Sequence, residues 1–221
     1  MPSPATPASL PSFRSRIVPV VVIHDLKTAV PMAQALLAGG IDVIEITLRS
    51  DAALGAIEAV SRHVPAMVVG AGTVTRAEEI QSVVNAGARF ALSPGFTPRL
   101  LAQVKAAGLP FVPGVASPSE AMAARDEGFT LLKCFPAAQL GGIEVLKAWG
   151  GPLPDLRFCP TGGVSLSNLR QLLDLPNVAM AGGSWITPAH LAENGDWAAI
   201  TRLAAEATAL AQQGRQSVHH A

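Results

Sequence analysis

Short runs of β-branched and apolar residues alternate along the chain with longer stretches in which apolar positions recur at helical spacing. The strand-like runs begin near Ile17 (IVPVVVI), Val43 (VIEITL), Ala66 (AMVVGA), Arg89 (RFALSP), Pro110 (PFVPGV), Thr130 (TLLKCF), Arg157 (RFCPTG) and Val178 (VAMAGG). They recur about every 23 residues, room for a short strand, a helix of about ten residues and two short loops. Ser117-Pro118-Ser119-Glu120 and Ser165-Leu166-Ser167-Asn168 read as helix starts. Gly39-Gly40, Gly87, Gly108 and Gly128 each close a helical stretch just before the next strand. A series of this kind predicts a parallel sheet with helices outside it. Eight units in 221 residues favour a single (β/α)8 TIM barrel over an open sheet, and no G-x-G-x-x-G follows the first strand. Residues 1–221 are thus expected to form one domain. An N-terminal extension over about 1–14 would form an extra helix, a long closing helix would follow Ala189, and a tail would occupy about 212–221.

Composition narrows the partners. Sixteen Lys and Arg balance sixteen Asp and Glu, so the basic excess that attracts nucleic acid is missing. The chain is 49% hydrophobic and 14% charged, with a mean hydropathy of +0.37. A spanning helix nevertheless needs about 20 mostly apolar residues without interruption, and the longest charge-free stretch, Leu175 to Ala192, is broken by Pro, Asn, Gly, Ser and His. The N-terminus, MPSPATPASLPSF, lacks the basic start and apolar middle of a secretory signal. No membrane is expected, and a cytoplasmic location is. Cys134 and Cys159 lie in apolar runs and read as reduced core residues.

Against this background, polar residues inside strands stand out, because strands of such a barrel are buried on both faces. In Val43 to Arg49 the even positions are aliphatic and the odd ones include Glu45, Thr47 and Arg49. A period of two turns these three toward the barrel interior near the C-terminal end, where sites of this fold open. A self-satisfied Glu45–Arg49 pair is the plainer alternative, weakened by a Cα separation of about 13 Å along a strand. Of four lysines, Lys27, Lys105 and Lys147 fall in helical stretches. Lys133 lies between apolar neighbours in Leu131-Leu132-Lys133-Cys134-Phe135. Its amine must be paired, placed in a cavity or neutral. An ordinary lysine is only about 0.04% neutral at pH 7, and one neutralised by its surroundings attacks carbonyls. An ion pair with Glu45 across the barrel is the plainer alternative. Glycines and small polar residues follow other strands: Gly70-Ala71-Gly72-Thr73, Ser93-Pro94-Gly95, Thr161-Gly162-Gly163 and Gly182-Gly183-Ser184. The last two fall where these barrels often hold phosphate. A phosphorylated carbonyl compound fits both halves of the site.

Two long ordered motifs, Gly40-Ile-Asp-Val-Ile-Glu45-Ile-Thr-Leu-Arg49 and Gly128-Phe-Thr-Leu-Leu-Lys133-Cys-Phe-Pro-Ala137, make the chain resemble the bacterial 2-keto-3-deoxy-6-phosphogluconate (KDPG) and 4-hydroxy-2-oxoglutarate (KHG) aldolase family over about residues 15–210. Cys134 departs from the family's larger apolar residue, and by parity it points away from the cavity. The resemblance implies a class I aldolase that uses no metal or other cofactor. Lys133 would form the Schiff base and Glu45 act as general acid and base. Arg49 and Thr73 would clamp the substrate carboxylate, Phe135 would wall the pocket and Pro94 would shape it. Gly162, Gly163 and Ser184, with Thr161 beside them, would cradle phosphate. It also implies a phosphorylated 2-keto-3-deoxy acid and pyruvate as small-molecule partners, and a homotrimer. His24, His63, His190, His219 and His220 are scattered and suggest no metal set. Within the resemblance an aldolase for the galactonate epimer is an alternative; from the residues, a sugar-phosphate isomerase or epimerase using Glu45 as base and a non-catalytic phosphosugar-binding barrel are the others.

Overall fold

The computed structural model describes residues 6–213. Its strands are β1 (Ile17–Val21), β2 (Val43–Thr47), β3 (Val68–Gly72), β4 (Phe90–Leu92), β5 (Phe111–Val112), β6 (Gly114–Val115), β7 (Leu131–Cys134), β8 (Arg157–Pro160) and β9 (Ala181–Gly183). Each falls within or just after one of the apolar runs read from the sequence. All pairings are parallel: one six-stranded sheet runs β5-β4-β3-β2-β1-β9 and a three-stranded sheet runs β6-β7-β8. The result is an α/β fold with a curled parallel sheet.

The run from Pro110 was expected to give one strand and gives two short pieces. Pro113 separates them because it has no N–H for the ladder. Before it, Phe111 pairs with Ala91 of β4; after it, Gly114 pairs with Lys133 of β7. The Pro113 carbonyl still accepts from Lys133 N at 2.9 Å, so one chain segment hands the first sheet over to the second. On the opposite side, isolated parallel bridges join Phe158 to Val178 and Thr161 to Gly182.

Helices connect the strands: α1 (Ala29–Ala38), α2 (Ala53–His63), α3 (Glu79–Asn85), α4 (Pro98–Ala106), α5 (Pro118–Asp126), α6 (Ile143–Gly150), α7 (Leu166–Leu173), α8 (Ala189–Glu193) and α9 (Trp197–Gln212). The capping signals are expressed as bonds. Ser117 Oγ accepts from Glu120 N at 3.3 Å while the Glu120 carboxylate accepts from Ser117 N at 3.1 Å, and Asn168 Oδ1 accepts from Ser165 N at 2.9 Å. The expected closing helix is present as α8 and α9, with Gly195 between them. Helix α9 lies against α1 so closely that a Cβ on Gly39 would come within 2.4 Å of Ala204 Cβ.

The expected N-terminal helix is not formed over residues 6–14, which have no helical structure. Pro7 and Pro11 remove amide donors and bias the residues before them toward extended backbone. Residues 1–5 and the tail beyond 213 lie outside the described residues. What holds the segment instead is burial and one carboxylate. Leu10 and Phe13 pack on the core, Phe13 stacking 6.2 Å from the Phe90 ring. The buried Asp42, just before β2, accepts from Arg14 N, Ser15 N and Arg14 Nε at 2.9 to 3.2 Å. Burial pushes the Asp42 carboxyl up, but these donors outweigh it and hold it below the usual carboxylate range.

Among the described residues no helix is long and apolar enough to cross a membrane.

Candidate active site

Strand β2 is buried at all five positions, so its two polar side chains must be satisfied by structure or held for a ligand. Thr47 is satisfied: its hydroxyl donates to the Val21 carbonyl at 3.2 Å. Glu45 is satisfied at one oxygen. Its Oε1 accepts from Lys133 Nζ at 2.9 Å, with the two side chains 0% and 5% exposed. Its Oε2 is buried with no hydrogen-bond partner among the described residues. The Glu45–Arg49 alternative is not realised. Strand β2 ends at Thr47, leaving Arg49 exposed in the following loop, without an ion pair or side-chain hydrogen bond among the described residues.

Lys133 reaches Glu45 because β7 is buried from Leu132 to Cys134 and alternates its side chains. Its register partner in β8 is Cys159, and its Nζ lies 5.6 Å from the centre of the Phe135 ring. Phe135 therefore walls the amine, two residues on by the same parity. Cys134 and Cys159 are both free and buried, and burial pushes each thiol up to about 12. Both are neutral thiols near pH 7, so neither competes with Lys133 as a nucleophile.

The other predicted residues sit at strand ends. Thr73 follows β3 with φ 57, a conformation a β-branched residue adopts only when its surroundings impose it. Pro94 follows β4 and is fixed by β6, since a Cβ on Gly114 would lie 2.2 Å from the Pro94 carbonyl carbon. After β8, buried Thr161 accepts Ala137 N on its carbonyl at 2.8 Å, and Gly162 accepts Ala138 N at 3.0 Å. Gly162 and Gly163 have φ 93 and 76, values a side chain would strain, and a Cβ on Gly163 would also strike Ala138. Ser184 is exposed directly after β9.

The structure thus joins Glu45, Lys133 and Phe135 by direct contact and Thr161 to β9 by a bridge. Among the described residues, no hydrogen bond or ion pair joins Arg49, Thr73, Pro94 or Ser184 to the Glu45–Lys133 pair. In the loop after β9, Trp185 Nε1 and Thr187 Oγ1 are also buried without hydrogen-bond partners among the described residues, a feature the sequence reading does not single out. The Trp185 indole covers Gly183 so tightly that a Cβ there would lie 2.0 Å from it. Among the described residues no three His, Cys, Asp or Glu side chains gather as a metal site.

Known proteins resemble this chain over most of its length. The profile of the KDPG and KHG aldolase family matches residues 12–203. The 2-dehydro-3-deoxy-phosphogluconate aldolase of Pseudoalteromonas atlantica is 52% identical over 193 residues, covering 87% of this chain and 90% of that protein. The KHG/KDPG aldolase of Escherichia coli K12 is 47% identical over 191 residues, 86% and 90% of the two chains. A crystal structure of the KDPG aldolase of Legionella pneumophila, with pyruvate captured as a covalent carbinolamine, is 46% identical with a TM-score of 0.86, covering 88% of this chain and 94% of that one. With a profile that spans most of its length and relatives near half identity, this chain belongs to the KDPG and KHG aldolase family.

Proposed function

We propose that this protein is a class I aldolase, a carbon-carbon lyase, which cleaves 2-dehydro-3-deoxy-6-phosphogluconate to pyruvate and D-glyceraldehyde 3-phosphate. A second substrate is 4-hydroxy-2-oxoglutarate, cleaved to pyruvate and glyoxylate. The observation that carries this reading is the buried Lys133–Glu45 contact with one carboxylate oxygen left open. A buried ion pair gains little stability over apolar packing, and an orphaned buried oxygen costs more still. The arrangement is explained by a substrate that supplies the missing partner.

Proton transfer from Lys133 to Glu45, in contact at 2.9 Å, frees the amine. The amine attacks the C2 carbonyl and forms a carbinolamine. Glu45 then protonates the departing hydroxyl, water leaves, and an iminium remains. The carboxylate next takes the proton from the C4 hydroxyl as the C3–C4 bond breaks, and the bonding electrons pass into the iminium as an enamine. Return of a proton to C3 and hydrolysis release pyruvate and restore the lysine. Arg49, without a side-chain partner among the described residues, and Thr73 hold the pyruvyl carboxylate. Phe135 and Pro94 shape the pocket, and Gly162, Gly163 and Ser184, with Thr161, hold the phosphate.

The architecture belongs to the same reading. Strand continuity through Pro113 and the Thr161–Gly182 bridge support one eight-unit (β/α) barrel, with β5 and β6 as its fifth strand, forming a single domain. The protein acts in the cytoplasm as a homotrimer on free small molecules. The test is steady-state cleavage of the gluconate, the galactonate epimer and 4-hydroxy-2-oxoglutarate. The phosphorylated gluconate is expected to have the highest kcat/KM. Proton exchange on a sugar phosphate without release of pyruvate from any of the three would overturn the assignment.

A further inference from the structure

Strand β3 reads Val68-Val69-Gly70-Ala71-Gly72, and alternation puts Gly70 and Gly72 on one face. Neither glycine has positive φ, so turn geometry does not explain them. Their reason is what lies above them. A Cβ on Gly70 would meet the Phe90 ring at 2.4 Å. A Cβ on Gly72 would meet Oε1, Cγ and Cδ of Glu45 at 2.2, 2.5 and 2.7 Å, the three nearest heavy atoms all belonging to that one side chain. The same Oε1 accepts from Lys133 Nζ. Gly72 is anchored in the sheet, paired with Thr47 and accepting Leu48 N at 2.9 Å, so it cannot step aside as a flexible side chain could.

We infer that Gly72 is a positioning residue for the reaction: its bare backbone is the seat on which the Glu45 carboxylate lies, and this seat sets the carboxylate against Lys133. The inference rests on the role given to Glu45 above. A methyl group at Gly72 would lie 2.2 Å from Oε1, closer than atoms can sit, and drives the carboxylate off the amine, while the backbone conformation of β3 accepts alanine.

The experiment compares wild type, Gly72→Ala, Glu45→Gln and the double variant, using kcat for cleavage of the phosphorylated gluconate and borohydride trapping of pyruvate on Lys133. Gly72→Ala is expected to lower kcat by about 10²-fold or more, as for a lost general acid and base, and still to trap pyruvate. In the Glu45→Gln background the same change should cost less than about threefold, because the carboxylate it displaces is already gone. A folded Gly72→Ala with full kcat, or losses that multiply in the double variant, overturns the role. If Gly72→Ala does not fold, Glu45→Ala/Gly72→Ala decides: restored folding supports the seat, and continued misfolding overturns it. Wild type without cleavage or trapping refutes the aldolase assignment and this role with it, whereas cleaving wild type with a full-rate Gly72→Ala refutes the role of Gly72 alone.

Discussion

Two buried carboxylates lie three residues apart, one just before a strand and one in its middle. Asp42, before β2, accepts from two backbone N–H groups and one guanidinium. Glu45, within β2, has one ammonium partner and an oxygen with none. Satisfaction by backbone donors fixes Asp42 in one state and ties down the N-terminal segment. The incomplete shell of Glu45 leaves capacity for a substrate. Burial of an acid is therefore a poor guide to function by itself, and the count of its partners separates the structural case from the chemical one.

The largest expected effect falls on the amine that faces Glu45. Lys133→Ala should show no measurable turnover of the phosphorylated gluconate, and retention of the native circular dichroism spectrum would show that chemistry alone was lost. Appreciable activity in that variant would leave the pair without a chemical role. Glu45→Gln is next, with kcat lowered by about 10² to 10⁴ while pyruvate is still bound covalently; stopped-flow kinetics alongside reductive trapping would reveal the split.

Asp42→Asn should move stability and leave kcat within about twofold. Losing the charge that three N–H donors address costs about 1 to 3 kcal/mol, read from chemical denaturation at neutral pH. The folded carboxyl titrates below its unfolded value, near 3.9. Its stabilisation is therefore fully present above that unfolded value and is lost as pH falls through the lower folded one. The gap between wild type and Asp42→Asn should close in that acid range, and a gap that widened there would reverse the reading of Asp42. The smallest effect concerns the thiols. With both raised to about 12 and buried, iodoacetamide at pH 7 should leave activity intact and label Cys134 and Cys159 only after denaturation.

Much of this contrast was legible in the chain. Period-two alternation singled out Glu45, and apolar neighbours singled out Lys133, because both signals are local. Their contact is not local: it spans 88 positions and depends on how strands are ordered around the sheet, so the sequence leaves it beside the alternative of a lysine in a cavity. Arg49 was placed inside by extending the alternation two residues past the true end of β2. The N-terminal helix was expected despite Pro7 and Pro11, whose cost to a helix outweighs the pattern around them. Asp42 could have been found by the argument that found Glu45, a charge among Ile41, Val43 and Ile44, but nothing local says that Arg14 and Ser15 meet it. Gly72 was visible as one glycine among several, and its meaning needs the β2–β3 register.

The most direct measurement is borohydride reduction of the wild-type protein in the presence of pyruvate, followed by mass mapping of the peptides. A single reduced pyruvyl adduct on Lys133 is expected, formed in proportion to lost activity. An unmodified Lys133 in enzyme that still cleaves its substrate, or an adduct on Lys27, Lys105 or Lys147 in its place, would contradict it.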